Sequence, residues 1–134
     1  MKKIIEISSN LKSIKLVIND LLLHLQSLKA SEADVFDIRL CLEEVLINAI
    51  KHGNKFNENY KVRISSIFNN DSIIISVEDQ GNGFDHNKVP DPAKEENLLR
   101  TGGRGIFLIK HLMDKVEFNK KGNIIKMTKQ LRKG

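Results

Sequence analysis

Apolar residues recur along this chain with two different periods, and each change of period marks out an element. In "KKIIEIS" (2–8) charged and apolar residues alternate in the manner of a short strand. From Leu11 the spacing becomes helical: Leu11, Ile14, Val17, Ile18, Leu21, Leu22, Leu25 and Leu28 form one stripe of a long amphipathic helix, with Asn10 as its N-cap. Ser31, followed three residues later by Asp34 in place of Glu, resembles a capping box. It opens a second helix that runs to His52, with Gly53 able to end it in the left-handed conformation. His24, on the first helix, has no acidic or hydroxyl companion nearby and is expected at the surface or an interface.

The segments "YKVRISSIF" (60–68) and "SIIISVED" (72–79) are rich in β-branched residues and flank "NND", which predicts a hairpin. Residues 86–101 hold both prolines and little periodicity, so they form a long connection of the kind that serves as a lid, a binding loop or a mobile segment. "GGRGIFLIKHLMDKV" reads as a glycine loop entering a short apolar helix, and "KVEFNKKGNIIKMTKQL" as a last hairpin turning at "KKGN". The order βααββ, loop, αββ predicts an α/β two-layer sandwich. Its sheet is mixed but mostly antiparallel, with three helices sharing one face and the other face polar.

Composition narrows the picture. With 134 residues and 40% hydrophobic content, the chain is expected to form one undivided domain over 1–134 with a proper core. The first residues do not run into an apolar signal core, and no stretch approaches the roughly 18 apolar residues of a membrane span, so a cytoplasmic protein without membrane contact is expected. Cys41 is alone and sits between Leu40 and Leu42, as a small buried hydrophobe would. The net charge of +5 is concentrated between Lys120 and Lys133, and with one Tyr and no Trp there is little to stack bases. The lysines therefore read as a solvated face with some attraction for acidic partners, not as a nucleic-acid surface.

Three places carry candidate chemistry. Glu44, Asn48 and His52, four apart, form a polar stripe beside the apolar stripe of Leu42, Val45 and Ala49. An amide oxygen at Asn48 suits Mg²⁺, which takes only one or two protein ligands, and Glu44 one turn earlier is placed to accept a proton as a general base. The same stretch is also compatible with ordinary surface polar residues and a histidine at the negative end of the helix dipole. In "VEDQGNGFD", Asp79 ends a strand and can accept from an exocyclic amine such as adenine N6. Gly81 and Gly83 there permit close approach of a flat ligand, although a turn with Asp at its first position explains the same letters. "TGGRGIF" leads into a helix whose free backbone N–H groups favour phosphate; Gly102, Gly103 and Gly105 clear the approach, and Arg104 or Arg100 would add positive charge.

Together the motifs resemble those of the GHKL ATPase superfamily, the first being Glu44 with Asn48, Ala49, His52 and Gly53, the second Asp79, Gly81 and Gly83, the third Gly102, Gly103 and Gly105. Within it, the chain looks most like the small serine-protein kinases that act as anti-sigma factors, the RsbW and SpoIIAB type. The features are its length, "NAIKHGN", a short lid, and "GGRGIFLIKHLMDKVEF" before a last hairpin. The resemblance implies the Bergerat ATP-binding fold and ATP with Mg²⁺ as cofactors. It also implies Glu44 as base, Asn48 as metal ligand, Asp79 as adenine acceptor, and the glycines at 81, 83, 102, 103 and 105 as nucleotide contacts. His52 falls within the motif and either meets the nucleotide or braces the helix end. The implied partners are a STAS-domain anti-sigma factor antagonist and a sigma factor, with the kinase as a homodimer. Two departures stand out: relatives place a threonine early in the last strand where Ile124 or Ile125 stands here, and Arg104 replaces an apolar residue. Two rival functions remain, a non-catalytic partner-switching module and a detached histidine-kinase catalytic domain. His24 lacks the acidic neighbour that the last would want.

Overall fold

The computed structural model describes residues 2–81 and 103–132. Through them the chain forms β1 (Lys2–Ser8), a 3-10 turn (Leu11–Ser13), α1 (Ile14–Ser27), α2 (Glu32–Asn48), a π-helical turn (Ala49–Gly53), β2 (Lys61–Phe68), β3 (Ser72–Glu78), α3 (Gly103–Leu112), β4 (Lys115–Phe118) and β5 (Ile124–Gln130). The connection expected at 86–101 lies outside the described residues, as do Gly83, Arg100 and Gly102.

The five strands lie in the order β1-β2-β3-β5-β4. The antiparallel majority expected from the hairpins extends to all four described pairings. After β3 the chain crosses by way of α3 to the far edge, and β5 returns between β4 and β3, antiparallel to both.

Register decides which residues face the helices. Ile7 pairs with Val62, Ile64 with Val77, Ile75 with Met127 and Ile125 with Phe118, so one face of the sheet is a continuous apolar surface. Against it lie Val17, Leu21 and Leu25 of α1 and Ile38, Leu42, Val45 and Leu46 of α2, in a single core. Each fully buried aliphatic side chain there contributes roughly 1.5–3 kcal/mol. Cys41 is part of this core, and burial pushes its thiol up to about 11, so it packs as a hydrophobe. His24 departs from expectation: it is half-buried, its ring edge-on to Phe68 with centroids 4.7 Å apart.

Asn10 caps the 3-10 turn that leads into α1, whose own N-cap, Ser13, makes no side-chain bond, and Ser31 caps α2. Asn10 Oδ1 accepts from the Ser13 N–H at 3.1 Å, and Ser31 Oγ accepts from the Asp34 N–H at 3.2 Å. The second half of the expected capping box does not close. Asp34 turns its carboxylate to Arg132, and the Ser31 N–H donates to the Arg132 carbonyl instead. A charged guanidinium with a backbone N–H beside it is a stronger donor set than one neutral amide.

The basic tail is likewise only partly a solvated face. Lys120, Lys121 and Lys126 are exposed, but Lys129 is buried, donates to the Leu112 carbonyl at 2.6 Å and lies 3.6 Å from Asp37 Oδ2.

The largest local departure follows Asn48. The α-helical pattern stops there and Ala49–Gly53 form a π turn, with the Asn54 N–H donating to the Ala49 carbonyl at 2.8 Å. Gly53 does not take the expected left-handed conformation; that is adopted by Lys55 and Phe56, φ 51° and 59°. The wider turn spends an extra residue before the chain leaves the helix, so the reversal falls two residues later. Phe56 N–H, donating to the Ile50 carbonyl at 2.8 Å, holds it.

Candidate functional site

Between α2, the π turn, β3, α3 and the β4–β5 hairpin lies a cavity of about 310 Å³. Val45, Val77, Ile106, Ile109, Phe118 and Ile125 give it apolar walls, while Asn48, His52, Gly53, Asp79 and Asn123 supply its polar edge. The structure thus brings together Asn48, His52 and Asp79, singled out from two separate motifs. Of the two positions proposed for the departure from threonine, Ile125 is in the wall and Ile124 is not among the lining residues.

Asp79 follows directly on β3, so the strand delivers it to the cavity's end. Its N–H donates to the Asn123 carbonyl at 3.0 Å, and its own carbonyl accepts from Asn123 Nδ2 at 2.9 Å. Its Oδ1 accepts from the Gly81 N–H at 2.9 Å. Burial pushes the carboxyl above the ordinary range, and the Gly81 hydrogen bond and the charge of Lys121 only partly offset this. No donor among the described residues meets Oδ2.

Glu44 occupies a neighbouring position. It is half-buried one turn before Asn48, and its side chain packs against the first turn of α3. A Cβ on Gly105 would overlap Glu44 Oε1 and lie 2.7 Å from its Cγ, so any larger residue there has to displace the Glu44 side chain. The glycine loop and the carboxylate of the first motif are therefore in contact, one on each of two packed helices. Gly103 and Arg104 stand in the first turn of α3, with the Arg104 side chain outside the described set. Among the described residues no three His, Cys, Asp or Glu converge as a metal cage.

Two asparagines escaped the sequence reading. Asn54 is 1% exposed: its Nδ2 donates to Ser9 Oγ (2.8 Å) and to the Lys61 carbonyl (3.1 Å), and its Oδ1 accepts from the Gln80 N–H (2.8 Å). It ties the end of β1, the start of β2 and the residue after Asp79 to the π turn. Asn123 pins the Asp79 backbone and receives Asn119 Nδ2 at 2.7 Å. The only signal available was position, directly after "HG" and after the last turn glycine, and a buried bridging Asn has the same letters as a turn Asn.

Apolar walls ending in a carboxylate, one of whose oxygens meets no donor among the described residues, suit a flat heterocycle that carries an amine. Asn48, among the lining residues, offers an amide oxygen, a donor that suits a hard cation otherwise held by phosphates and water.

A family model described as the histidine kinase-like ATPase domain matches residues 7–129. The serine-protein kinase RsbW of Staphylococcus aureus strain JH9 is 37% identical over 113 residues, covering 78% of this chain and 70% of that protein. A second Staphylococcus aureus RsbW is 38% identical over the same spans. A Mycobacterium tuberculosis structure of RsbU and RsbW domains superposes with a TM-score of 0.68 at 15% identity over 98% of this chain, which shows the shared fold. The chain spans 33% of that longer one.

Proposed function

Since the chain belongs to the histidine kinase-like ATPase family, and within it to the RsbW-type serine-protein kinases, we propose that it binds Mg·ATP in the Asp79 cavity. It then transfers the γ-phosphoryl group to a serine or threonine of a STAS-domain anti-sigma factor antagonist. The observation that carries this reading is the convergence of a carboxylate-ended apolar cavity, Asn48 at its rim and Glu44 against the start of α3.

Each residue has a distinct task. Asp79 Oδ2 accepts from the adenine amine while Val77, Ile109 and Ile125 enclose the ring. Asn48 would hold Mg²⁺ through its side-chain oxygen, and that ion would neutralise charge on the phosphates. Glu44 orients the incoming hydroxyl and takes its proton as the oxygen bonds to the γ-phosphorus and the bond to the β-phosphate oxygen breaks, leaving ADP. The N-terminus of α3 favours the phosphate charge. Gly103 and Gly105, in the first turn of α3, belong to that side of the ligand.

On this reading the antagonist and a sigma factor compete for the kinase, so phosphorylation of the antagonist decides which is held. A homodimer is part of the proposal; Leu16 and Leu23, 70% and 67% exposed on the outer face of α1, support it.

The test is incubation with γ-labelled ATP and a STAS-domain antagonist. Wild type should label the antagonist; Glu44→Gln should bind ATP with labelling reduced by about 10²–10⁴-fold. Asn48→Ala should lose the Mg²⁺ dependence of nucleotide affinity. Undiminished labelling by Glu44→Gln would remove Glu44 from the chemistry. ATP binding with no labelling of any antagonist by wild type would favour the non-catalytic module.

A further inference from the structure

We propose that Gly53 is a positioning residue for base recognition: by lacking a side chain, it lets Asp79 Oδ2 sit against the π turn at the wall of the cavity that Asp79 lines. The inference rests on the nucleotide-binding reading above and extends it to a residue that makes no hydrogen bond to a base itself.

The geometry is a three-residue stack. A Cβ on Gly53 would overlap Asp79 Cγ and Oδ2 and lie 2.8 Å from Oδ1. The Gly53 carbonyl in turn presses on Gly81, where a Cβ would overlap that oxygen and lie 2.7 Å from the Gly53 carbonyl carbon. Gly81 closes the ring by donating its N–H to Asp79 Oδ1. Gly53 has no positive φ, so what it provides is space and not backbone freedom.

The surroundings leave Asp79 no other way to adjust. Its backbone is fixed on the β5 side by Asn123, and the next residue is fixed by Asn54 through the Gln80 N–H. A methyl group at position 53 must therefore be accommodated by swinging the whole Asp79 side chain about its Cα–Cβ bond, since the overlap includes Cγ, and that moves Oδ2, the oxygen without a donor among the described residues. The π turn explains why the contact exists: its extra residue carries Gly53 across to the end of β3.

The consequence is selective. Moving Oδ2 removes the acceptor for a purine 6-amino group but leaves the phosphate side, which lies along Asn48 and α3, untouched. Affinities for ATP, ITP and inorganic tripolyphosphate, all with Mg²⁺, should be measured on wild type, Gly53→Ala, Asp79→Ala and the double variant, together with melting midpoints. ITP carries a carbonyl where ATP carries the amine, so it reports the same site without the contact. Wild type should prefer ATP; Gly53→Ala should lose about tenfold for ATP, the worth of one charge-assisted hydrogen bond, and keep its affinity for ITP and tripolyphosphate. In the Asp79→Ala background, where the three atoms nearest the added methyl are gone, Gly53→Ala should change neither ATP affinity nor the midpoint. If Gly53→Ala alone does not fold, recovery of the fold on adding Asp79→Ala is the expected result. Equal loss for all three ligands, additive losses in the double variant, or no recovery of the fold would overturn the role of Gly53. A wild type without preference for ATP over ITP would instead overturn the nucleotide reading beneath it.

Discussion

Asp34 and Arg132 lie 98 positions apart in sequence and are joined at three points. Arg132 Nη2 donates to Asp34 Oδ1 at 2.7 Å, Nε to the same oxygen at 3.2 Å, and the Arg132 backbone N–H to Oδ2 at 2.7 Å. The carboxylate is fully buried while the guanidinium side chain is largely exposed, so one end of the clasp is insulated from solvent and the other is not. It fastens the segment after β5 to the first turn of α2, the helix that carries Glu44 and Asn48.

Burial alone would raise the Asp34 carboxyl, but the hydrogen bonds from the Arg132 side chain and backbone outweigh it and hold the group below its ordinary 3.8. A depressed folded value contributes stability that is present above the unfolded value and is lost as pH falls through the folded one. Asp34→Asn should therefore melt lower than wild type at pH 7, by about 3–5 °C for each kcal/mol lost, and the gap should close below pH 3.8. Thermal melts of both proteins across pH 3–7 measure it; a gap that is constant with pH would mean the ion pair carries no net stability.

Asp79 has the opposite sign. Burial raises its carboxyl, so the ionised group destabilises the fold at neutral pH, and that penalty is relieved as pH falls through the raised value toward 3.8. Asp79→Asn, which keeps the shape and an acceptor for the Gly81 N–H, should melt higher than wild type at pH 7 and lose the advantage below about pH 4. The same variant should bind ATP more weakly. Paired melts and nucleotide titrations decide it, and a lower midpoint for Asp79→Asn at pH 7 would refute the burial penalty.

Gly105 should behave as part of the Glu44 apparatus. An alanine there overlaps the Glu44 carboxylate, and displacing a reacting group by about 1 Å can cost about a hundredfold in rate. Gly105→Ala should lower phosphoryl transfer to the antagonist by about that factor, and adding it to Glu44→Gln should lower it little further. Single-turnover rates for the two single variants and the double give the coupling; independent, multiplicative losses would separate the two residues.

Asn54→Ala removes three hydrogen bonds at a buried position and leaves the Gln80 N–H and the Lys61 carbonyl without that partner. A loss of about 2–4 kcal/mol is expected, read from urea unfolding at constant slope. Because Gln80 adjoins Asp79, ATP affinity should fall as well. A neutral substitution would show that water replaces the amide.

The sequence by itself determined the elements and most of their faces. Helical spacing from Leu11 to Leu28 covers α1 and the 3-10 turn before it, Asn10 caps that turn and Ser31 caps α2, and alternation in 61–78 matches a hairpin with one buried face. These are local properties, set by side-chain periodicity and by backbone donors within a few residues. Glu44, Asn48, Asp79 and Gly105 stood out as candidate site residues because acids, amides and glycines are conspicuous on otherwise apolar elements, and the structure brings Asn48 and Asp79 to one cavity and Glu44 against Gly105. Tertiary structure alone decided what each touches. The seat of Asp79 on Gly53 and of Glu44 on Gly105, the bridging of Asn54 to Ser9 and Gln80 and of Asn123 to Asp79, and the diversion of Asp34 to Arg132 and of Lys129 to Asp37 all depend on partners dozens of residues away. A residue's letter states which bonds it can make; only packing of β3, α2, α3 and the chain end against one another states which donor arrives first and how much room is left.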